Sequence, residues 1–138
     1  MANVTAQTLD GFQTLLTTGD HSVLADEPKG IGTGLGPDPY QLLLSALGAC
    51  TAMTVRMYAG RKDWPLESVR VELSHERVHA RDCEDCEQDQ GIDERITVRI
   101  QFEGDLDSEQ RERLAYIATR CPVRKTLAAG PQITDEVI

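Results

Sequence analysis

The sequence predicts an α+β domain, with antiparallel sheets and two main helices. Three observations carry that expectation. Runs in which apolar and polar residues alternate lie before, between and after two longer stretches whose apolar residues recur at three- and four-residue steps. Each longer stretch opens on an aspartate-containing start signal. No internal repeat and no linker-like segment interrupts the 138 residues, so 1–138 reads as a single domain.

The elements follow in order. Residues 3–26 read as short strands, with Thr14–Thr17 and Ser22–Ala25 joined through a turn at Thr18-Gly19-Asp20-His21. Pro28, Gly30, Gly32, Gly34, Gly36 and Pro37 make 27–37 a loop that can let backbone approach a ligand. No Gly-Lys-Ser/Thr follows, so this is not a phosphate loop. Asp38 as N-cap, Pro39 at the first helical position and Gln41 three residues after the cap start a helix that runs to about Arg61. Leu43, Leu47, Cys50, Thr54 and Met57 define its apolar face. Val69, Val71 and Leu73 alternate with polar residues in a strand that extends toward Val78, and 96–102 is its partner in a long hairpin around an acidic loop. Gly104-Asp105-Leu106-Asp107 leads into the second helix, with Leu114, Ile117 and Ala118 as its stripe and Cys121 closing it. Ile133–Ile138 reads as a final edge strand.

Composition narrows the function. With 23 acidic against 14 basic residues, the net charge of −9 argues against nucleic acid and against an anionic membrane surface as partners. No run approaches about 18 consecutive apolar residues, and the first residues have neither a basic region nor an apolar core, so neither a spanning segment nor a signal peptide is expected. Four cysteines in such a chain point to a reducing, cytoplasmic setting, where paired thiols are redox-active or metal-binding more often than structural.

Cys50 and Cys121 are the candidates for chemistry. A thiol attacks as its thiolate and needs a positive field. Cys50 lies about three turns into its helix, beyond reach of the helix end. Its activation needs either a kink near Gly48 or a cation: Arg56, Arg61, Arg120, Arg124 or a residue of another chain. The competing reading is a small buried hydrophobe. Cys121 is followed by Arg124 and Lys125, which either lower its pKa or complement a helix end and face water.

The run Gly36-Pro37-Asp38-Pro39-Tyr40-Gln41 through Leu47-Gly48-Ala49-Cys50-Thr51 resembles the first-cysteine motif of the OsmC/Ohr family, and Cys121-Pro122-Val123 resembles its second. Asp26-Glu27-Pro28, Met57-Tyr58-Ala59 and Gly104-Asp105-Leu106 are similar to its general OsmC-like branch, and the likeness covers roughly residues 22–134. The resemblance implies an intertwined homodimer with active sites at the subunit interface, and thiol-dependent reduction of organic hydroperoxides with no cofactor required. Cys50 would be the peroxidatic thiolate, and Cys121 would resolve its sulfenic acid into a disulfide that an external dithiol, a lipoylated protein in the Ohr branch, reduces. Leu43, Leu47, Met53 and Met57 would give an oily pocket for the peroxide, or serve ordinary packing. Gln41, Arg56 and Arg124 are the supporting candidates. Gln41 stands where OsmC-like relatives often carry glutamate, and capping Asp38 is its other reading. No arginine precedes Arg56, and Arg124 replaces a histidine common after the second cysteine.

A second group, His75, His79, Cys83 and Cys86, has the spacing His-x3-His-x3-Cys-x2-Cys. Two adjacent loop thiolates and two histidines on one strand face suit a zinc ion. The alternatives are a redox dithiol or an exposed loop, and Glu84, Asp85 and Glu87 work against thiolate formation. A non-catalytic zinc- or small-molecule-binding dimer is therefore the rival to a peroxidase.

Overall fold

The computed structural model describes residues 2–79 and 92–138, with backbone alone for Val78, His79 and Ile92. The fold is α+β, with three helices and two antiparallel sheets among the described residues. The chain divides into two compact units, Met1–Ser45 and Ala46–Ile138.

The first unit is a three-stranded sheet in the order β1 (Thr5–Thr8), β2 (Thr14–Thr18), β3 (His21–Ala25), followed by the glycine-rich segment. Thr18 pairs with His21, so the β2–β3 turn is the two residues Gly19-Asp20, with Gly19 at φ +55° as a tight hairpin requires. The segment after β3 is organised by a buried carboxylate. Asp26 accepts hydrogen bonds from the backbone N–H of Glu27 (2.8 Å) and Leu35 (3.2 Å), from the Thr33 hydroxyl and, at 3.5 Å, from the Thr33 N–H. Its own N–H donates to Pro37 O at 3.1 Å. The Thr33 hydroxyl chiefly, against the cost of burial, holds this carboxyl below the usual aspartate range. A side chain at Gly36 would place its Cβ 1.8 Å from Leu24 O, so the strand and the returning segment can lie together only around glycine. Segment 27–37 is thus a folded loop closed on one carboxylate.

Helix α1 spans Pro39–Arg61. The expected capping box is formed: Gln41 N–H donates to Asp38 Oδ1 (2.8 Å), and Asp38 N–H donates to Gln41 Oε1 (2.9 Å). The helix ends where Asp63 takes a left-handed conformation (φ 54°). Its buried face is Leu47, Thr51, Val55 and Ala59, one step away from the face the sequence suggests. Met57 and Met53 are 62% and 67% exposed. The reason is that α1 is apolar on nearly every side, so periodicity does not pick out the packed stripe. It is also long and apolar enough to cross a membrane, but Val55 and Ala59 belong to the core of the second unit.

That core lies between α1, the hairpin of β4 (Leu66–His79) and β5 (Ile92–Gly104), and α2 (Ser108–Ala118). Pairing sets Val69 opposite Phe102, Val71 opposite Ile100 and Leu73 opposite Val98, with all six side chains at least partly covered. Val55 and Leu114 are fully buried, each contributing on the order of 1.5–3 kcal/mol. Asp107 caps α2 in a second capping box with Gln110. Arg113 Nε donates to the Tyr58 hydroxyl at 3.0 Å, tying α2 to α1.

The chain continues into α3 (Pro122–Ala129), which ends on Gly130 in a left-handed conformation. This corrects two expectations. Cys121 does not close α2, which ends at Ala118; it is the N-cap of a third helix whose first residue is Pro122. Residues 131–138 are exposed and form no strand, so Ile133–Ile138 is not an edge strand.

Candidate active site

The second unit brings Cys50 and Cys121 together. Cys50 lies midway along α1, partly exposed; Cys121 is fully buried at the start of α3. The two thiols lie close enough for each to perturb the ionisation of the other. Each also has a threonine hydroxyl from α1 beside it, Thr54 at Cys50 and Thr51 at Cys121. Both hydroxyls hold helix carbonyls as well, Thr51 that of Leu47 at 2.8 Å and Thr54 that of Cys50 at 2.7 Å.

The two sulfurs sit in opposite fields. Burial and the neighbouring Cys121 raise the Cys50 thiol above its ordinary range, against the Val123 N–H and Thr54. Burial also opposes charge on Cys121, but the neighbouring Cys50, the Arg124 N–H, Thr51 and the Val123 N–H outweigh it and lower its pKa. Cys121 closes no formal capping hydrogen bond, so these N–H groups act on the sulfur as oriented dipoles at a helix start. A polar helix start fits this assignment better than a mid-helix position would.

Of the cations foreseen for Cys50, Arg56 and Arg120 are engaged elsewhere. Arg56 donates to Leu66 O (2.8 Å) and Glu67 O (2.7 Å), closing the start of β4 onto α1. Arg120 stacks over Tyr116, 6.0 Å from the ring centroid. The Arg124 side chain lines a cavity, and its backbone N–H lies beside the Cys121 sulfur. Nor does a new helix begin at Gly48 in α1. It is continuous, and Gly48 instead admits Leu73, whose Cδ1 would lie 2.8 Å from a Cβ there. Gln41 is held in the capping box with Asp38.

The cavity, about 410 Å³, is walled by Leu47, Ile96, Val98 and Leu127, with Arg124 and Glu94 as its polar groups. Leu47 is one helical turn before Cys50, so the cavity shares α1 and α3 with the dithiol. Met53 and Met57 are not among its walls. Thr51 is the residue that sequence reasoning passed over; the signal was a polar residue on the same helical stripe as Leu47 and Val55.

The expected metal group is described only in part. Cys83 and Cys86 lie outside the described residues, as does the His79 side chain. His75 Nε2 lies 3.4 Å from Glu94 Oε1. Among the described residues no cluster of three metal-ligating side chains occurs.

Known structures share this architecture. An OsmC-like protein from Mycoplasma pneumoniae superposes with a TM-score of 0.76 at 20% identity, over 94% of this chain and 89% of that one. The organic hydroperoxide resistance protein OsmC of Legionella pneumophila gives 0.67 at 19%, over 92% and 88%. The organic hydroperoxide resistance protein OhrB of Bacillus subtilis gives 0.64 at 22%, over 94% and 92%. At these identities the likeness is one of fold. A search of curated proteins returns no significant match. Residues 32–136, which carry the later part of the glycine-rich loop, the three described helices and both Cys50 and Cys121, match the family described as OsmC-like protein, and the chain belongs to that family.

Proposed function

We propose that this protein reduces organic hydroperoxides in the cytoplasm, as a homodimer, through Cys50 and Cys121. The observation that carries the reading is the contact between two thiols far apart in sequence, one reachable from solvent and one sealed beneath it. In the reaction, the Cys50 thiolate attacks the distal peroxide oxygen and releases an alcohol, leaving a sulfenic acid. Cys121 then attacks the Cys50 sulfur and expels the hydroxyl oxygen as water, which leaves a disulfide. A dithiol, such as the lipoyl group of a partner protein, restores both thiols by exchange. The apolar cavity walls favour an organic peroxide over hydrogen peroxide. Peroxide resistance among proteins of the same fold, as the Legionella and Bacillus names state, supports the assignment.

Peroxide consumption with a dithiol reductant tests it. Cys50→Ser is expected to abolish turnover and Cys83→Ser to leave it intact. Equal rates in both variants, or no consumption by the wild type, would sink the reading in favour of a binding role for the cavity or the Cys83/Cys86 loop.

A further inference from the structure

Lys62, Arg113 and Arg120 stand in one row with no carboxylate paired to them among the described residues. Arg113 on α2 lies over two tyrosine rings, its guanidinium 5.5 Å from the Tyr58 centroid and 5.1 Å from that of Tyr116. Lys62 Nζ is 5.8 Å from the Tyr58 centroid, and the Arg120 guanidinium is 6.0 Å from that of Tyr116. The order Lys62, Tyr58, Arg113, Tyr116, Arg120 thus runs from just past α1 along α2 to the residue before Cys121. Arg113 chiefly, against burial and with Lys62 and Arg61, holds the Tyr58 phenol below its ordinary range, as a positive field does.

Other arginines are taken up by the fold. Arg56 and Arg111 hold backbone carbonyls, and Arg70, Arg77 and Arg99 lie against carboxylates. In the row, aromatic faces hold the cations instead and leave their N–H donors for another molecule; only Arg113 Nε is used, at 3.0 Å from the Tyr58 hydroxyl. Trp64 meets Tyr58 edge-on at 5.6 Å. Both rings, with Lys62 and Arg113, wall a cavity of about 460 Å³ that also carries Asp107 and Glu109. Exposed arginine and tyrosine beside tryptophan are the residue types that carry most binding energy at protein interfaces. On a chain of net charge −9, an unpaired basic row is a local exception.

We propose that this row is the docking face for an acidic protein segment, and that the protein held there supplies the reducing dithiol. The role rests on the hydroperoxide reading and deepens it by giving the partner's chemistry. Arg113 and Arg120 are seven residues apart, about two helical turns, so carboxylates two turns apart on a partner helix can meet both. A second copy meeting row to row would set cation against cation. A nucleic acid would bring an unbroken line of phosphates onto Asp107 and Glu109 as well, whereas a protein segment can place its carboxylates only at the row. Arg120 immediately precedes Cys121, so a partner docked on it stands next to the thiol pair. There its dithiol attacks the Cys50–Cys121 disulfide and gives up two electrons and two protons. Both thiols of the chain are restored, and the partner leaves as a disulfide.

The probe is a labelled helical peptide with a glutamate at every seventh residue and a terminal dithiol, added to the full-length protein. The wild type is expected to bind it, with an affinity that falls as salt rises. Lys62→Glu combined with Arg120→Glu should weaken binding about tenfold or more. Arg70→Glu combined with Arg99→Glu, an equal change of net charge on the hairpin, should not. These positions spare Arg113, whose bond to Tyr58 joins α2 to α1. In cumene hydroperoxide turnover by the wild type, the KM for the peptide should rise with salt while that for dithiothreitol stays constant. Equal weakening by both charge reversals, or no binding at any salt, overturns the inference. So does tighter binding of a single-stranded oligonucleotide or an anionic vesicle than of the peptide. A KM for the peptide that ignores salt overturns the reducing role. A protein inert to peroxide that binds the peptide through Lys62 and Arg120 sinks the hydroperoxide reading and leaves the docking face standing.

Discussion

Thr51, Cys50 and Cys121 show how residue chemistry here depends on position along a helix rather than on residue type. The two thiols differ in that one is embedded in α1 and the other begins α3; burial opposes charge on both, and their mutual contact raises Cys50 and lowers Cys121. The pH dependence follows. Cys121 is lowered, so as pH rises the pair gains its first negative charge below the ordinary thiol range. Peroxide reduction is therefore expected to gain rate and level off below the pH at which an ordinary thiol ionises, as read from initial rates over a pH series. A rate that climbs only near or above pH 8.5, the ordinary range, contradicts the assignment. From sequence, both cysteines were legible as a pair. The direction of activation was not, because it depends on Cys121 opening a helix. The sign was present in Cys121-Pro122, since proline favours the first helical position, but the nearby end of the preceding helix masked it.

At the scale of elements, those with local signals were legible and those defined by packing were not. Asp38, Pro39 and Gln41 announced α1, and alternation announced the β4–β5 hairpin with its inward face. The packed face of α1 was not readable, because a helix apolar on nearly every side offers no contrast; only contact with the core picks out Thr51, Val55 and Ala59. Nor did the glycines of 27–37 reveal that Asp26 gathers the loop onto one carboxylate. The loop's order depends on backbone approach at Gly36. Gly36→Ala is expected to cost on the order of 2–3 kcal/mol, measured by denaturant unfolding, since the obstructing Leu24 O is backbone and cannot swing aside. A change below a few tenths of a kcal/mol would show that the loop does not need that contact.

For the whole molecule, membership of the OsmC-like family follows from a family match over residues 32–136, and solved structures share the fold. The proposed homodimer draws on the exposed apolar residues of the isolated chain, among them Phe12, Ile31, Leu35, Met53 and Met57, each more than half exposed. Sedimentation is expected to give twice the 15.2 kDa of one chain, and a monomer at micromolar concentration would remove that part of the proposal.

Mass spectrometry of the reduced protein, intact and as peptides, before and after one equivalent of cumene hydroperoxide tests the central claim most directly. Rapid loss of two hydrogens, mapping to a bond between the Cys50 and Cys121 peptides, is the predicted result. No reaction, or oxidation confined to Cys83 and Cys86, would contradict it.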